Sequence, residues 1–143
     1  MNITPSDDLN GDDYERLMFL LATSPYHSSY TDDDIEDLID TPIRLKKYIL
    51  MNDNRDKVVF FATFAHPEEK HVQEYVRTGR FPSEGFHAEG EDIWCIDFIC
   101  MGGKADVLLS FRFLKNLLCS YGYDRCFWLR TESMKIGYHV VKE

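Results

Sequence analysis

Ile93-Trp94-Cys95-Ile96-Asp97-Phe98-Ile99-Cys100 is an eight-residue apolar run broken by one charge, and its reading decides the fold. A near-continuous apolar run of this length predicts a central strand covered on both faces. Met101-Gly102-Gly103-Lys104 then turns the chain. Over residues 105–121 the apolar positions Val107, Leu108, Phe111, Leu114 and Leu118 recur at three- and four-residue steps, so a helix follows, capped by Gly122. Residues 125–131 and 138–142 read as two further strands. Side chains alternate along a strand, which predicts Asp97 on one face with Ile93, Cys95 and Ile99.

Upstream, residues 13–22 carry Leu17, Leu20 and Leu21 at helical spacing. The helix ends before Ser24-Pro25-Tyr26-His27, because the residue preceding a proline is pushed out of the helical region. Thr31 with Asp34 three residues on forms a capping box with Asp in place of Glu. The helix it opens buries Ile35, Leu38 and Ile39 and is expected to close at Pro42. Residues 47–51 and 57–64 predict a hairpin around the turn-forming Asn52-Asp53-Asn54-Arg55-Asp56. Pro67 and Gly79 bracket a helix over 67–78, and 81–91 is a loop.

This order predicts an α/β (α+β) sandwich with one central sheet flanked by helices. The strand–glycine turn–helix–strand stretch from 93 to 131 is what the N-acetyltransferase-like (GNAT-like) fold uses to hold an acyl carrier, which the pattern alone makes one of several candidates. In that fold the sheet is mixed and mostly antiparallel. A chain of 143 residues fits one domain, here 13–143 after a flexible acidic segment, 1–12.

Net charge is −9, from 25 acids against 16 Lys plus Arg. Nucleic acids and anionic lipid both call for a basic surface, so neither is an expected partner. The start of the chain lacks a basic n-region and no apolar run approaches about 20 residues, which predicts a cytoplasmic protein without membrane insertion. Cys95, Cys100, Cys119 and Cys126 lie in apolar segments without a Cys-x-x-Cys pair, and are expected as four buried thiols. His66 and His71, five apart, fall on different helix faces, so no metal site is expected.

Asp97 must be paired, hydrogen-bonded or protonated, since burying a lone carboxylate costs several kcal/mol. Either Arg130 on the next strand pairs with it, or it serves chemistry. His27 sits in a proline-held connection between two helices. Gly102, Gly103 and Lys104 at a helix start could cradle phosphate through free backbone N–H groups, or simply make a tight turn.

Ala22-Thr23-Ser24-Pro25-Tyr26-His27, Thr41-Pro42-Ile43, Tyr48-Ile49-Leu50 and Asp92-Ile93-Trp94-Cys95-Ile96-Asp97-Phe98-Ile99 together resemble the toxin-activating lysine acyltransferases of repeat-containing pore-forming toxins. The shared features are a small-Ser-Pro-x-His start and a Trp-x-Ile-Asp segment, and the likeness spans residues 17–142. It implies a fold of the acetyltransferase type, often dimeric, that moves a fatty acyl group from acyl carrier protein to a lysine of an acceptor protein such as a toxin. The donor is a phosphopantetheine thioester used as substrate, with no resident cofactor. The family's essential histidine and aspartate fall on His27 and Asp97. Ser24, Gly102, Gly103 and Lys104, with the basic cluster Arg44, Lys46 and Lys47, become the expected donor- or carrier-binding residues.

The chemistry suits such a pair. At pH 7 a lysine must lose a proton before it can attack, at a cost of about 4.6 kcal/mol. An imidazole base removes that obstacle and a carboxylate orients it. Direct transfer and an acyl-histidine intermediate both remain open. The chain ends sooner than is usual for the family and is strongly acidic, although acyl carrier protein is acidic too and favours basic patches. Two other readings stand beside this one: a non-catalytic acidic interaction or inhibitor protein on the same scaffold, and an acyltransferase using acyl-coenzyme A and a non-toxin amine. The coenzyme A signature Gln/Arg-x-x-Gly-x-Gly/Ala is absent.

Overall fold

The computed structural model describes residues 2–5, 9–52, 58–100, 104–130 and 135–140. One six-stranded sheet runs β1 (Asn2–Pro5), β2 (Tyr48–Asn52), β3 (Val58–Ala65), β4 (Ile93–Cys100), β5 (Arg125–Arg130) and β6 (Lys135–Val140) in that spatial order. All neighbours are antiparallel except β4 and β5. Around it lie α1 (Gly11–Thr23), α2 (Asp32–Ile35), α3 (Thr41–Arg44), α4 (Glu69–Thr78) and α5 (Lys104–Ser120). The hairpin turn expected near 53–56, and Gly102 and Gly103, lie outside the described residues.

Alternation along β2 and β3 sorts the core onto two sides. Ile49, Met51, Phe60, Ala62 and Phe64 pack against Leu114 and Leu118 of α5. Tyr48, Leu50 and Phe61 face the other way, onto Leu17, Leu20 and Leu21 of α1. Phe60 and Phe61 are fully buried, so truncating either to alanine costs about 3–5 kcal/mol.

Local signals place several ends as expected. Thr31 and Asp34 form the reciprocal capping box. Gly79 takes φ 77° after α4 and Gly122 φ 90° after α5, a region where only glycine is free of strain. Pro67 stays outside α4, whose N-cap is Glu68 with His71 completing the box. Asn2–Pro5 pairs with β2 where no strand was expected.

Pro42 does not close its helix. The turn Glu36–Asp40 widens to π geometry, with the Thr41 N–H reaching the Glu36 carbonyl, and the chain continues into α3 with Pro42 near its start. Widening is the accommodation a proline needs, because its ring lacks an N–H and crowds the carbonyl four residues back. Cys119 is exposed rather than buried, since α5 turns that position outward. The same helix leaves Leu108 67% and Leu109 54% exposed, so its apolar stripe is wider than the core it meets. No helix among the described residues is long and apolar enough to cross a membrane.

Candidate active site

α1 stops at Thr23, and the Ser24 N–H still reaches the Leu20 and Leu21 carbonyls. After Pro25 the chain winds one 3-10 turn, His27–Ser29, which seats the His27 ring at 6% exposure.

Asp97 reaches the same place through an irregularity. Thr63 of β3 pairs with Asp97, yet the next residue, Phe64, pairs with Cys95, so Ile96 is an extra residue on β4. This bulge breaks the alternation expected from sequence. Ile93 and Cys95 join the α5-side core with Phe98 and Cys100, whereas Ile99 packs with the α1 leucines. Asp97 therefore does not share a face with Ile93 and Cys95; it points to the α1 side, where His27 stands. Bulges re-aim side chains in this way beside functional sites. Thr63 Oγ1 accepts the Asp97 N–H at 3.1 Å, and the Cys95 thiol donates to the Asp97 carbonyl at 3.5 Å.

His27 Nε2 lies 2.9 Å from Asp97 Oδ1, and Ser24 Oγ lies 2.9 Å from His27 Nδ1. An ionised carboxylate only accepts, so Nε2 carries the hydrogen and the Nδ1 lone pair meets the Ser24 hydroxyl. The Tyr30 hydroxyl donates to the same Asp97 Oδ1 at 2.9 Å. Burial, then the Asp97 charge, push the Tyr30 phenol well above its ordinary value, so it stays a donor at neutral pH. Asp97 Oδ2 is buried and makes no hydrogen bond with a described residue. Arg130 is not its partner; that guanidinium stands over the Trp128 ring, 5.2 Å being the corresponding figure for Arg125 over Tyr138 and 5.9 Å for this pair.

Beside this network opens a cleft of about 1250 Å³. β4 and β5 pair only at Ile93↔Cys126 and Trp94↔Phe127 and then part. Residues from both faces of the sheet line the gap: Ser24, Tyr26, His27, Tyr75 and Asp97 from one, and Val107, Phe111, Arg112 and Lys115 of α5 from the other. Tyr26 and Tyr75 are both raised, by burial first and the Asp97 charge second. Cys95 and Cys126 also line it, but burial holds the Cys95 thiol far above its ordinary value and takes Cys126 up to about 11. Neither is a ready nucleophile at neutral pH.

Of the residues expected to bind donor or carrier, Ser24 lies in the cleft against His27. Lys104 is described in backbone alone, as the first residue of α5. Arg44, Lys46 and Lys47 do not line the cleft. Arg44 donates to Thr41 Oγ1, and the Lys47 ammonium is held by the Phe86 and Ala88 carbonyls. His66 meets the Tyr123 hydroxyl at 2.6 Å and His71 caps α4. Among the described residues no three His, Cys, Asp or Glu side chains cluster to hold a metal ion. Sequence reasoning missed Tyr30, Thr63, Arg112 and Lys115. The first two carried no signal beyond being polar near an element end or inside a strand, and the last two lie between the apolar positions of the α5 repeat, with no motif to mark them.

The model of the RTX toxin acyltransferase family matches residues 14–120, three quarters of the chain and both halves of the network. The chain belongs to the RTX toxin acyltransferase family. As a family member it is an acyltransferase, and its architecture agrees. A crystal structure from Staphylococcus aureus Mu50, described as a candidate acetyltransferase, superposes with a TM-score of 0.63 at 11% identity, covering 99% of this acyltransferase and 100% of that protein. A histone acetyltransferase HPA2-related structure from Corynebacterium glutamicum reaches 0.45 at 9% identity, over 89% and 75% of the two chains. The first of these shows the acetyltransferase-like fold. No curated protein sequence matches this acyltransferase.

Proposed function

We propose that this acyltransferase moves a fatty acyl group from the phosphopantetheine thioester of acyl carrier protein to a lysine amine of an acceptor protein, with His27 and Asp97 as its catalytic pair. The observation that carries the reading is the 2.9 Å contact between His27 Nε2 and Asp97 Oδ1 at the wall of an open cleft. Asp97 holds the hydrogen on Nε2 and leaves Nδ1 as the proton acceptor. The lysine nitrogen attacks the thioester carbonyl and its proton passes to Nδ1 through the Ser24 hydroxyl. The C–N bond forms, the C–S bond breaks, and the imidazolium returns its proton to the departing thiolate. Asp97 stabilises the imidazolium while it lasts. The acceptor lysine arrives as an ammonium drawn by the Asp97 charge to a cleft wall that Tyr26 and Tyr75 also line, and it gives its first proton to solvent before the neutral amine attacks.

Mass spectrometry of an acceptor co-expressed with this chain tests the proposal, with transfer rates from acyl carrier protein and acyl-coenzyme A compared in vitro. The expected result is an acyl mass on lysine, faster transfer from the carrier-borne donor, and a loss of about 100-fold or more in His27→Ala with unchanged circular dichroism. An unchanged rate in folded His27→Ala would overturn the mechanism.

A further inference from the structure

The cleft carries its charge unevenly. Asp97 is its single acid among the described residues, and Arg112 and Lys115 are its cations. The two lie three residues apart on α5, and hence on one face. Neither makes a hydrogen bond or ion pair with a described residue, although the chain carries an excess of nine negative charges. Elsewhere Arg16 is matched with Asp13, Lys70 with Glu68, and Arg80 with Asp34 and Asp37, and among the described residues no other pair of unmatched cations lines the cleft. Two unmatched cations on a cleft wall of an acidic protein mark a place for an anion. Around them stand Val107, Leu108 and Phe111, with Trp128 across the cleft, which suit neutral and apolar matter.

An anion drawn to this wall has to sit apart from Asp97, which would repel it. A phosphate joined through a neutral spacer to the reacting thioester has that form. We propose that Arg112 and Lys115 bind the phosphate of the donor's phosphopantetheine arm. A guanidinium offers a planar fork to phosphate oxygens and the neighbouring ammonium adds a point charge. The assignment rests on a thioester donor of the kind given under Proposed function.

Three donors with the same acyl chain separate the sources of the anion: acyl carrier protein, free acyl-phosphopantetheine, and acyl-N-acetylcysteamine, which lacks phosphate. In Arg112→Gln/Lys115→Gln the KM for the first two is expected to rise about tenfold or more, with kcat nearly unchanged and the third donor unaffected. Equal losses on all three donors, or none, would overturn the proposal. A loss confined to the carrier-borne donor would also overturn it, moving the contact to the carrier's own acidic surface. Calorimetric titration with phosphopantetheine itself gives a readout independent of turnover. Wild type should bind it in a salt-sensitive way and the double variant should bind at least about tenfold more weakly. Binding that the double variant retains would refute the assignment. A wild type that binds phosphopantetheine but transfers no acyl group would instead refute the catalytic reading.

Discussion

β4 treats its two neighbours differently. Against β3 it keeps six registered pairs from Cys100 to Trp94, interrupted only by the extra Ile96. Against β5 it keeps two pairs and then parts. The tight edge sets Asp97 in place, through the Thr63 hydroxyl and the bulge, and the loose edge opens the space beside it. A site needs both, because a proton-transfer pair must be held to within a fraction of an ångström while its substrates need room to enter.

Exchanging Asp97 and Phe98 attacks the tight edge most directly. Successive strand residues face opposite sides, so the exchanged carboxylate would point toward α5, away from His27. Acyl transfer is expected to fall below detection, while Ile96→Ala, which keeps the residue count and so the bulge, should retain most of the activity. Equal activity in both variants would mean that the face on which the carboxylate stands does not matter.

Tyr30→Phe tests the same edge more gently by removing one donor from Asp97 Oδ1. A hydrogen bond to a charged group contributes about 2 kcal/mol, so the melting temperature should fall and kcat should drop about tenfold. Tyr30→Trp, with a ring but a differently placed donor, should not restore the rate.

On the loose edge, a Cβ on Gly137 would stand 2.6 Å from the Trp128 ring, which lines the cleft. Gly137→Ala must displace that ring, at a cost of about 1–3 kcal/mol of stability. The KM of the acyl donor should rise a few-fold with kcat unchanged. A change in kcat alone would mean that the two edges are not independent.

The smallest effect lies away from the cleft. Burial and the nearby Asp40 raise the Tyr14 phenol from 10.0 to about 12. The fold favours the protonated phenol, so this contribution is complete below pH 10 and is lost as the pH rises toward 12. The melting-temperature gap between wild type and Tyr14→Phe should therefore shrink across that interval, with transfer activity at neutral pH left unchanged.

Where local chemistry decides, the amino-acid order was readable. β4 spans residues 93–100 as the apolar run predicts, α5 is within one residue of its expected ends, and the capping box and the two left-handed glycines are where residue type demands them. The readings that failed needed knowledge of a neighbour. Pro42 forecast a helix end, but packing of Leu38 and Ile39 kept the helix going and a π turn absorbed the ring. The order and spacing of His27 and Asp97 within their motifs drew attention to both, while the residues that support them stayed unmarked.

By itself the sequence determined that a carboxylate would lie inside the central strand and need a partner, because desolvating a charge is costly wherever the strand sits. It also determined that a histidine would follow a proline-stopped helix. Only the tertiary structure decided that the two meet. A strand's faces exchange with every residue, so accommodating Ile96 as a bulge rather than in regular alternation determines which helix layer Asp97 sees, and that register is set by β3, a strand some thirty residues away in sequence.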